Sequence, residues 1–216
     1  MPQPEILIAD DHALLIEAFK TLLEPEFRVV GSATDGRTLL ELAQSLRPDV
    51  IILDIGLPLL NGIAAGRKLK QLLPQSRLIV VTMYEDLEIA GEALRHWASG
   101  FLLKTSAGSE LTRAVREVLK GHDYVTPRIA KRLGQEFIRD PHLDRTRTLT
   151  PRQREVLELM AKGLTMKQAA ELLHVTPRTV AFHKYRIMEE FGLKNSSDLV
   201  RFAIKEQLIP GGMPNK

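Results

Sequence analysis

The stretch VIILDIGLP, residues 50–58, decides the fold. Four apolar residues run without a polar break into Asp54, and a turn containing Gly56 and Pro58 follows. A strand that is apolar on both sides of its pleat must be covered on both sides, as in a parallel sheet sandwiched by helices. The same shape recurs as ILIAD (6–10), LIVVT (78–82) and FLLK (101–104). Working outward, candidate strands fall at 5–9, 28–33, 49–53, 77–81 and 100–103. Helical patterns separate and follow them at 12–24, 36–46, 62–73, 86–97 and 108–121. Local signals agree with these limits. Pro48 ends the second helix, Asn61-Gly62 opens the third, and Gly121 closes the fifth with Lys120 in its last turn. Five βα units of this size predict an α/β fold with a doubly wound five-stranded parallel sheet, order 2-1-3-4-5.

Each apolar run stops at a side chain that can do chemistry: Asp10 and Asp11, then Asp54, Thr82 and Lys104. Ligands of open α/β sheets bind outside the carboxyl ends of the strands, where these residues would meet. Clustered carboxylates repel one another unless a cation lies among them. Mg²⁺ suits oxygen donors, and no histidine or cysteine cluster is expected there that would suit zinc. A carboxylate beside such a cation can attack phosphorus to give an acyl phosphate, with a lysine ammonium and a hydroxyl serving the transferred oxygens. Singly, each residue has a plainer reading: Asp10 or Asp11 as a helix cap, Thr82 as a strand former, Lys104 as a solvated lysine. All of them at successive strand ends favour one polar pocket.

Residues 1–121 resemble the receiver domain of two-component response regulators, a flavodoxin-like fold. The match is carried by Ala-Asp-Asp at 9–11, DIGLP at 54–58, Val81-Thr82 and GFLLK at 100–104. The resemblance implies that Asp54 accepts phosphate from a sensor histidine kinase. It implies Mg²⁺ on Asp11, Asp54 and the Gly56 carbonyl, with Asp10 in the outer shell. It also implies a switch in which Phe101 turns inward as Thr82 moves onto the phosphoryl group, altering the face formed by the fourth helix, fifth strand and fifth helix. Three positions vary the pattern. Thr105 stands where many receivers have proline, so no cis bond is expected after Lys104. Met83 adds bulk after Thr82. Gly56 offers no side chain to steer an attacking water, so a phosphoryl group lasting minutes or longer is expected.

The 216 residues contain no cysteine, which excludes a disulfide framework and thiolate metal sites. The N-terminus lacks a signal-peptide pattern, and no apolar run approaches the ~18 residues of a membrane span, so a cytoplasmic protein without a membrane partner is expected. The net charge of +3 divides unevenly: residues 1–124 carry −4 and residues 147–216 carry +5. A basic C-terminal part suggests a nucleic-acid partner, although ordinary fluctuation could give the same imbalance.

Beyond the receiver-like part, Thr126 and Pro127 would start a helix bearing Ile129, Leu133 and Phe137, and RDPHLDRTRT (139–148) reads as a linker. Thereafter the patterns are all helical. Thr150-Pro151 opens one helix and Thr165 a short second. Thr176-Pro177 opens a third that ends near Phe191-Gly192, and Ser196 or Ser197 opens a fourth. The short connection His174-Val175 suggests helix-turn-helix geometry. Val156, Leu157, Leu159, Met160, Ala169, Leu172, Leu173, Val180, Ile187 and Phe191 could fill its core. The third helix would then expose Arg178, Ala181, Phe182, Lys184, Tyr185 and Met188, a face sized for the major groove of double-stranded DNA. A four-helix module that binds protein is the alternative.

Residues 148–209 resemble the LuxR-type helix-turn-helix, through LTPRQRE (149–155), Gly163-Leu164, Thr179-Val180, His183, Ile187 and FGL (191–193). Together the two parts resemble the NarL/FixJ family of response regulators. The domains are expected at 1–122 (receiver), 123–147 (linker with a helix), 148–209 (DNA-binding) and 210–216 (tail). Lys167, Arg178, Thr179, Lys184 and Arg186 would hold phosphates, while Ala181, Phe182 and Tyr185 would face bases. The family's last helix pairs two copies, which assigns dimerisation on phosphorylation or on DNA to Leu199, Phe202, Ala203 and Leu208, residues that could equally be core. The expected function is a phosphorylation-controlled transcription factor and not an enzyme. The rivals are a regulator whose receiver is merely structural, or a Mg²⁺-dependent phosphohydrolase using Asp54.

Overall fold

Residues 3–83, 85–139, 149–206 and 208–209 are described in a computed structural model. The chain divides into two packed units, between Pro141 and His142. The first begins as five βα units: β1 (Glu5–Ala9), α1 (Ala13–Leu23), β2 (Arg28–Ala33), α2 (Gly36–Leu46), β3 (Val50–Leu53), α3 (Gly62–Leu72), β4 (Arg77–Thr82), α4 (Leu87–His96), β5 (Gly100–Leu103) and α5 (Lys104–Leu119). The strands lie in the order β2-β1-β3-β4-β5, all parallel, as the alternating pattern predicts.

The sheet does not stop at five strands. Beyond α5 come β6 (Tyr124–Val125) and α6 (Pro127–Arg139). The two residues of β6 pair in parallel with Gly100 and Phe101, giving six strands. Sequence patterning cannot find so short a strand, because its pairing is supplied by the exposed edge of β5 rather than by a run of its own. α6 carries the expected helix of the linker; residues 140–147 of that linker and the tail at 210–216 lie outside the described residues. A second difference is that α5 starts at Lys104, directly from the strand, and not at 108. Gly108 sits inside the helix, where an added Cβ would meet nothing within 4 Å.

The inner strands β1, β3, β4 and β5 bury both faces, while the edge strands β2 and β6 are largely half-buried. One face packs Ile6, Ile8, Val50, Ile52, Ile79, Val81 and Leu102 against α1 and α5. The alternate residues, Leu7, Ile51, Leu53, Leu78, Val80 and Phe101, are equally buried. Two close approaches fix the loop after β3. A Cβ on Gly62 would stand 2.0 Å from the Asp54 carbonyl oxygen, and one on Gly36 would stand 1.9 Å from that of Leu60. The first residues of α2 and α3 therefore clamp residues 54–62, within which Leu59 takes a left-handed φ of 62°. Under α3, Gly66 leaves room for the buried Trp97 ring; an added Cβ would reach 2.3 Å from it. The Trp97 indole N–H donates to buried Glu92 of α4 at 3.4 Å, and Arg67 of α3 closes on the same carboxylate at 2.8 Å.

The second unit is four helices: α7 (Pro151–Ala161), α8 (Met166–Leu172), α9 (Pro177–Glu190) and α10 (Ser196–Lys205). Thr150 and Thr165 each form a reciprocal cap with the glutamine three residues on, and Thr176 caps α9. Asn195, rather than either serine, caps α10 by accepting from the Asp198 amide. Between α8 and α9 the chain turns through His174 at φ 51°. Val156, Ala169, Ala170 and Val180 form one core cluster, and Leu149, Leu157, Ile187, Leu199 and Ala203 another. Leu172, expected inside, is 61% exposed, because the short α8 turns Ala169 and Ala170 inward instead. No described helix is long and apolar enough to cross a membrane.

Candidate functional site

Parallel register brings the strand ends together. The Asp54 amide donates to the Ala9 carbonyl and the Asp10 amide to that of Ala33, so β1 and β3 deliver both carboxylates to one level. Lys104, the first residue of α5, reaches across. Its ammonium lies 2.6 Å from Asp10 Oδ2 and 3.0 Å from Asp54 Oδ2, with the lysine side chain itself buried. Thr82 and Phe101, on the neighbouring strands, are fully buried.

Burial pushes the Asp54 carboxyl above the ordinary carboxylate range. The Lys104 charge and hydrogen bond, and less strongly the Gly56 amide, pull it back, while the negative Asp10 pushes it up. The proton and a metal cation thus compete for the same buried oxygens. Asp54 Oδ1 is buried without a well-formed hydrogen bond, and the Asp10 carboxylate shares the Lys104 ammonium with Asp54. Carboxylate oxygens of this kind suit a hard divalent cation. Asp10 and Asp11 stand close enough together to share one.

His12 was missed. Its Nδ1 lies 2.9 Å from Asp11 Oδ1 and 3.1 Å from Asp10 Oδ1, and donor atoms of the three residues fall within 4.8 Å of one another. The signal was its place in sequence: the residue after Asp10-Asp11 is the N-cap of α1, and the tight turn folds its ring back.

On α9 the structure sorts the predicted DNA residues by face. Arg178 and Tyr185 are exposed, and Ala181, Lys184 and Met188 are half-buried beside them. Lys167 of α8 is exposed. The Lys184 ammonium stands 5.6 Å from the Tyr185 ring centre. Two expectations are corrected. Phe182 is 5% exposed and does not face outward. It shares a helical stripe with Thr179 and Arg186, its ring meets the His183 ring edge-on at 5.0 Å, and the Arg186 guanidinium lies over it at 5.9 Å. Thr179 is buried too, its hydroxyl 3.1 Å from that of the cap Thr176. On α10, Leu199 and Ala203 are core, with Phe202 and Leu208 packed against them. Of the two readings, pairing surface or core, packing selects core for Leu199 and Ala203, while Phe202 and Leu208 are half-buried; the exposed side of α10 carries Ser197, Arg201 and Ile204.

A family model described as the response regulator receiver domain matches residues 6–116, and one described as bacterial regulatory proteins, luxR family, matches residues 147–203. The oxygen regulatory protein NreC of Staphylococcus haemolyticus is 36% identical over 214 residues, covering 95% of this chain and 99% of that protein. NreC of Staphylococcus aureus is 34% identical over the same shares. Among solved structures, a complex of the two-component response regulator RcsB with DNA is 27% identical with a TM-score of 0.61, covering 93% of this chain and 98% of that one. RcsB from Salmonella enterica serovar Typhimurium, bound to promoter P1flhDC with the phosphomimetic BeF₃⁻, is 26% identical with a TM-score of 0.63 over the same shares.

Proposed function

The chain belongs to the two-component response regulators that join a receiver domain to a luxR-family DNA-binding domain, and from that premise we propose that Asp54 is the phosphoacceptor governing it. The observation that carries this reading is one buried ammonium, Lys104, holding the carboxylates of Asp10 and Asp54 at the strand ends. An Asp54 oxygen attacks the phosphorus of a phosphohistidine on a sensor histidine kinase. A P–O bond forms as the P–N bond breaks, and the imidazole leaves with the bonding pair and takes up a proton. Lys104 neutralises charge on the transferred oxygens, and the Thr82 hydroxyl donates to one of them. Mg²⁺, held by Asp10, Asp11, Asp54 and the Gly56 carbonyl, would supply further neutralisation. Phe101, on the strand next to that of Thr82, reports the change.

Arg178, Lys184, Arg186 and Lys167 hold phosphates, and Ala181 and Tyr185 read bases from the exposed stripe of α9. Phe182 and Thr179 support that helix from behind. RcsB is solved as two dimers on two DNAs, and a like pairing here would use the exposed side of α10. We place the receiver at 1–122, the linker at 123–147, the DNA-binding domain at 148–209 and a tail at 210–216, in a cytoplasmic, non-enzymatic regulator.

Incubation with acetyl phosphate and Mg²⁺, comparing wild type with Asp54→Asn, tests the reading. Stable label on wild type alone, with altered DNA binding, is expected. Steady release of phosphate without stored label would favour a phosphohydrolase. DNA binding indifferent to label would favour a structural receiver.

A further inference from the structure

Residues 124–132 leave the receiver by way of its switch. They are fastened at three points, each next to a residue proposed to move. In the loop before α4, Glu85 lies three residues past Thr82 and takes both Arg128, at 3.0 Å, and Arg132, at 3.2 Å. On β5, the Thr126 amide donates to the Phe101 carbonyl at 3.0 Å, and the Tyr124 amide to that of Ser99 at 3.0 Å. At the start of α5, the Thr126 hydroxyl accepts from the amide of Leu103, the neighbour of Lys104, at 3.3 Å and donates to Glu110 at 3.0 Å. Thr126 is 4% exposed and Ile129 fully buried.

We propose that this segment is a strap coupling the Asp54 pocket to the outgoing chain, fastened while Asp54 is a carboxylate paired with Lys104 and loosened when Asp54 carries a phosphoryl group. The inference rests on the phosphoacceptor reading and adds the element that relays it. Phosphorylation replaces the Lys104–Asp54 contact and draws on Thr82, so the three anchor points shift by different amounts. A strap that fits one arrangement of all three cannot keep every bond in another. Its own cohesion is small. β6 is only two residues long, and Arg128 and Arg132 have side chains 70% and 45% exposed, in a range where ion pairs contribute little. Weakly held segments of this kind are the ones that open first. Release would bare the outer edge of β5, an unpaired row of backbone groups open to a new partner. Because coupling between two equilibria is reciprocal, weakening the strap must favour phosphorylation.

Hydrogen exchange on the full-length protein tests this. With acetyl phosphate and Mg²⁺, the Tyr124 and Thr126 amides should exchange at least tenfold faster in labelled than in unlabelled protein. Thr126→Val should exchange faster without label and reach half-labelling at several-fold lower acetyl phosphate. The exposed pair Arg128→Ala with Arg132→Ala should do the same, and it carries the test should the buried Thr126 variant misfold. Full labelling with unchanged protection of both amides would overturn the strap alone. Failure of wild type to label would overturn the phosphoacceptor reading and the strap with it.

Discussion

Gly62→Ala tests whether the proposed phosphoacceptor is held in place by backbone contact. The added Cβ would sit 2.0 Å from the Asp54 carbonyl oxygen, 2.7 Å from Ile55 Cα and 2.9 Å from the Asp54 carbonyl carbon. Ordinary contact begins near 3.4 Å, so one side must retreat by about 1.4 Å, and every obstructing atom is main chain. Nothing flexible can give way. Such overpacking costs about 1–3 kcal/mol, set against about 1 kcal/mol gained from replacing a helical glycine. The larger effect falls on geometry. Asp54 lies 3.0 Å from Lys104, and a misplacement of about 1 Å at a reacting group costs on the order of 100-fold in rate. Label uptake from acetyl phosphate should therefore slow by roughly 30- to 100-fold, with a modest fall in melting temperature. Gly108→Ala is the control. Nothing lies within 4 Å of its Cβ, so it should stabilise by about 0.5–1 kcal/mol and label normally. Wild-type labelling and melting in Gly62→Ala would refute the clamp.

Other outcomes follow from the same geometry. Lys104→Met leaves Asp10 and Asp54 without their shared cation, and should destabilise the receiver by about 3–5 kcal/mol in the absence of Mg²⁺ and less with it, as read by thermal unfolding. Asp54 binds its proton more tightly folded than unfolded, so its ionisation costs stability as pH rises through its raised pKa. Asp54→Asn should accordingly melt above wild type at neutral pH, with the difference shrinking as pH falls below that pKa; a constant difference would contradict the burial argument. With no side chain at Gly56, the phosphoryl group should persist for minutes or longer, and loss within seconds would rule that out. Lys184→Ala should weaken binding to all DNA sequences alike and flatten the log–log salt slope by about 0.9, whereas Tyr185→Ala should change sequence preference.

The receiver was legible because its strands announce themselves. VIIL and LIVV are apolar on both sides, and the chemical residues sit where those runs end. Parallel register then does the rest, since the strand ends must converge whatever the loops do. The sixth strand was invisible for the opposite reason, its two residues being ordered by the edge they join. His12 escaped because its approach to Asp10 and Asp11 depends on the turn into α1 and on no periodicity. On α9, helical spacing placed Arg178 and Tyr185 outside correctly, but treated Phe182 as a base contact, although an aromatic ring gains more from burial against its neighbours than from water. Leu199 and Ala203 carried two readings, and packing against Leu157 and Ile187 selects core.

The cavity that Gly66 leaves beneath α3 has a practical consequence. The ring it admits, Trp97, is the chain's single tryptophan, wedged between two helices with its N–H turned to the carboxylate that Arg67 also grips. Tryptophan fluorescence of the whole protein, excited at wavelengths its tyrosines do not absorb, therefore originates from one fixed spot between α3 and α4, with no engineered dye. Any slide of α4 that loosens Glu92 would alter the water around that indole and shift its emission to the red, giving a stopped-flow signal for helix motion in the unmodified regulator.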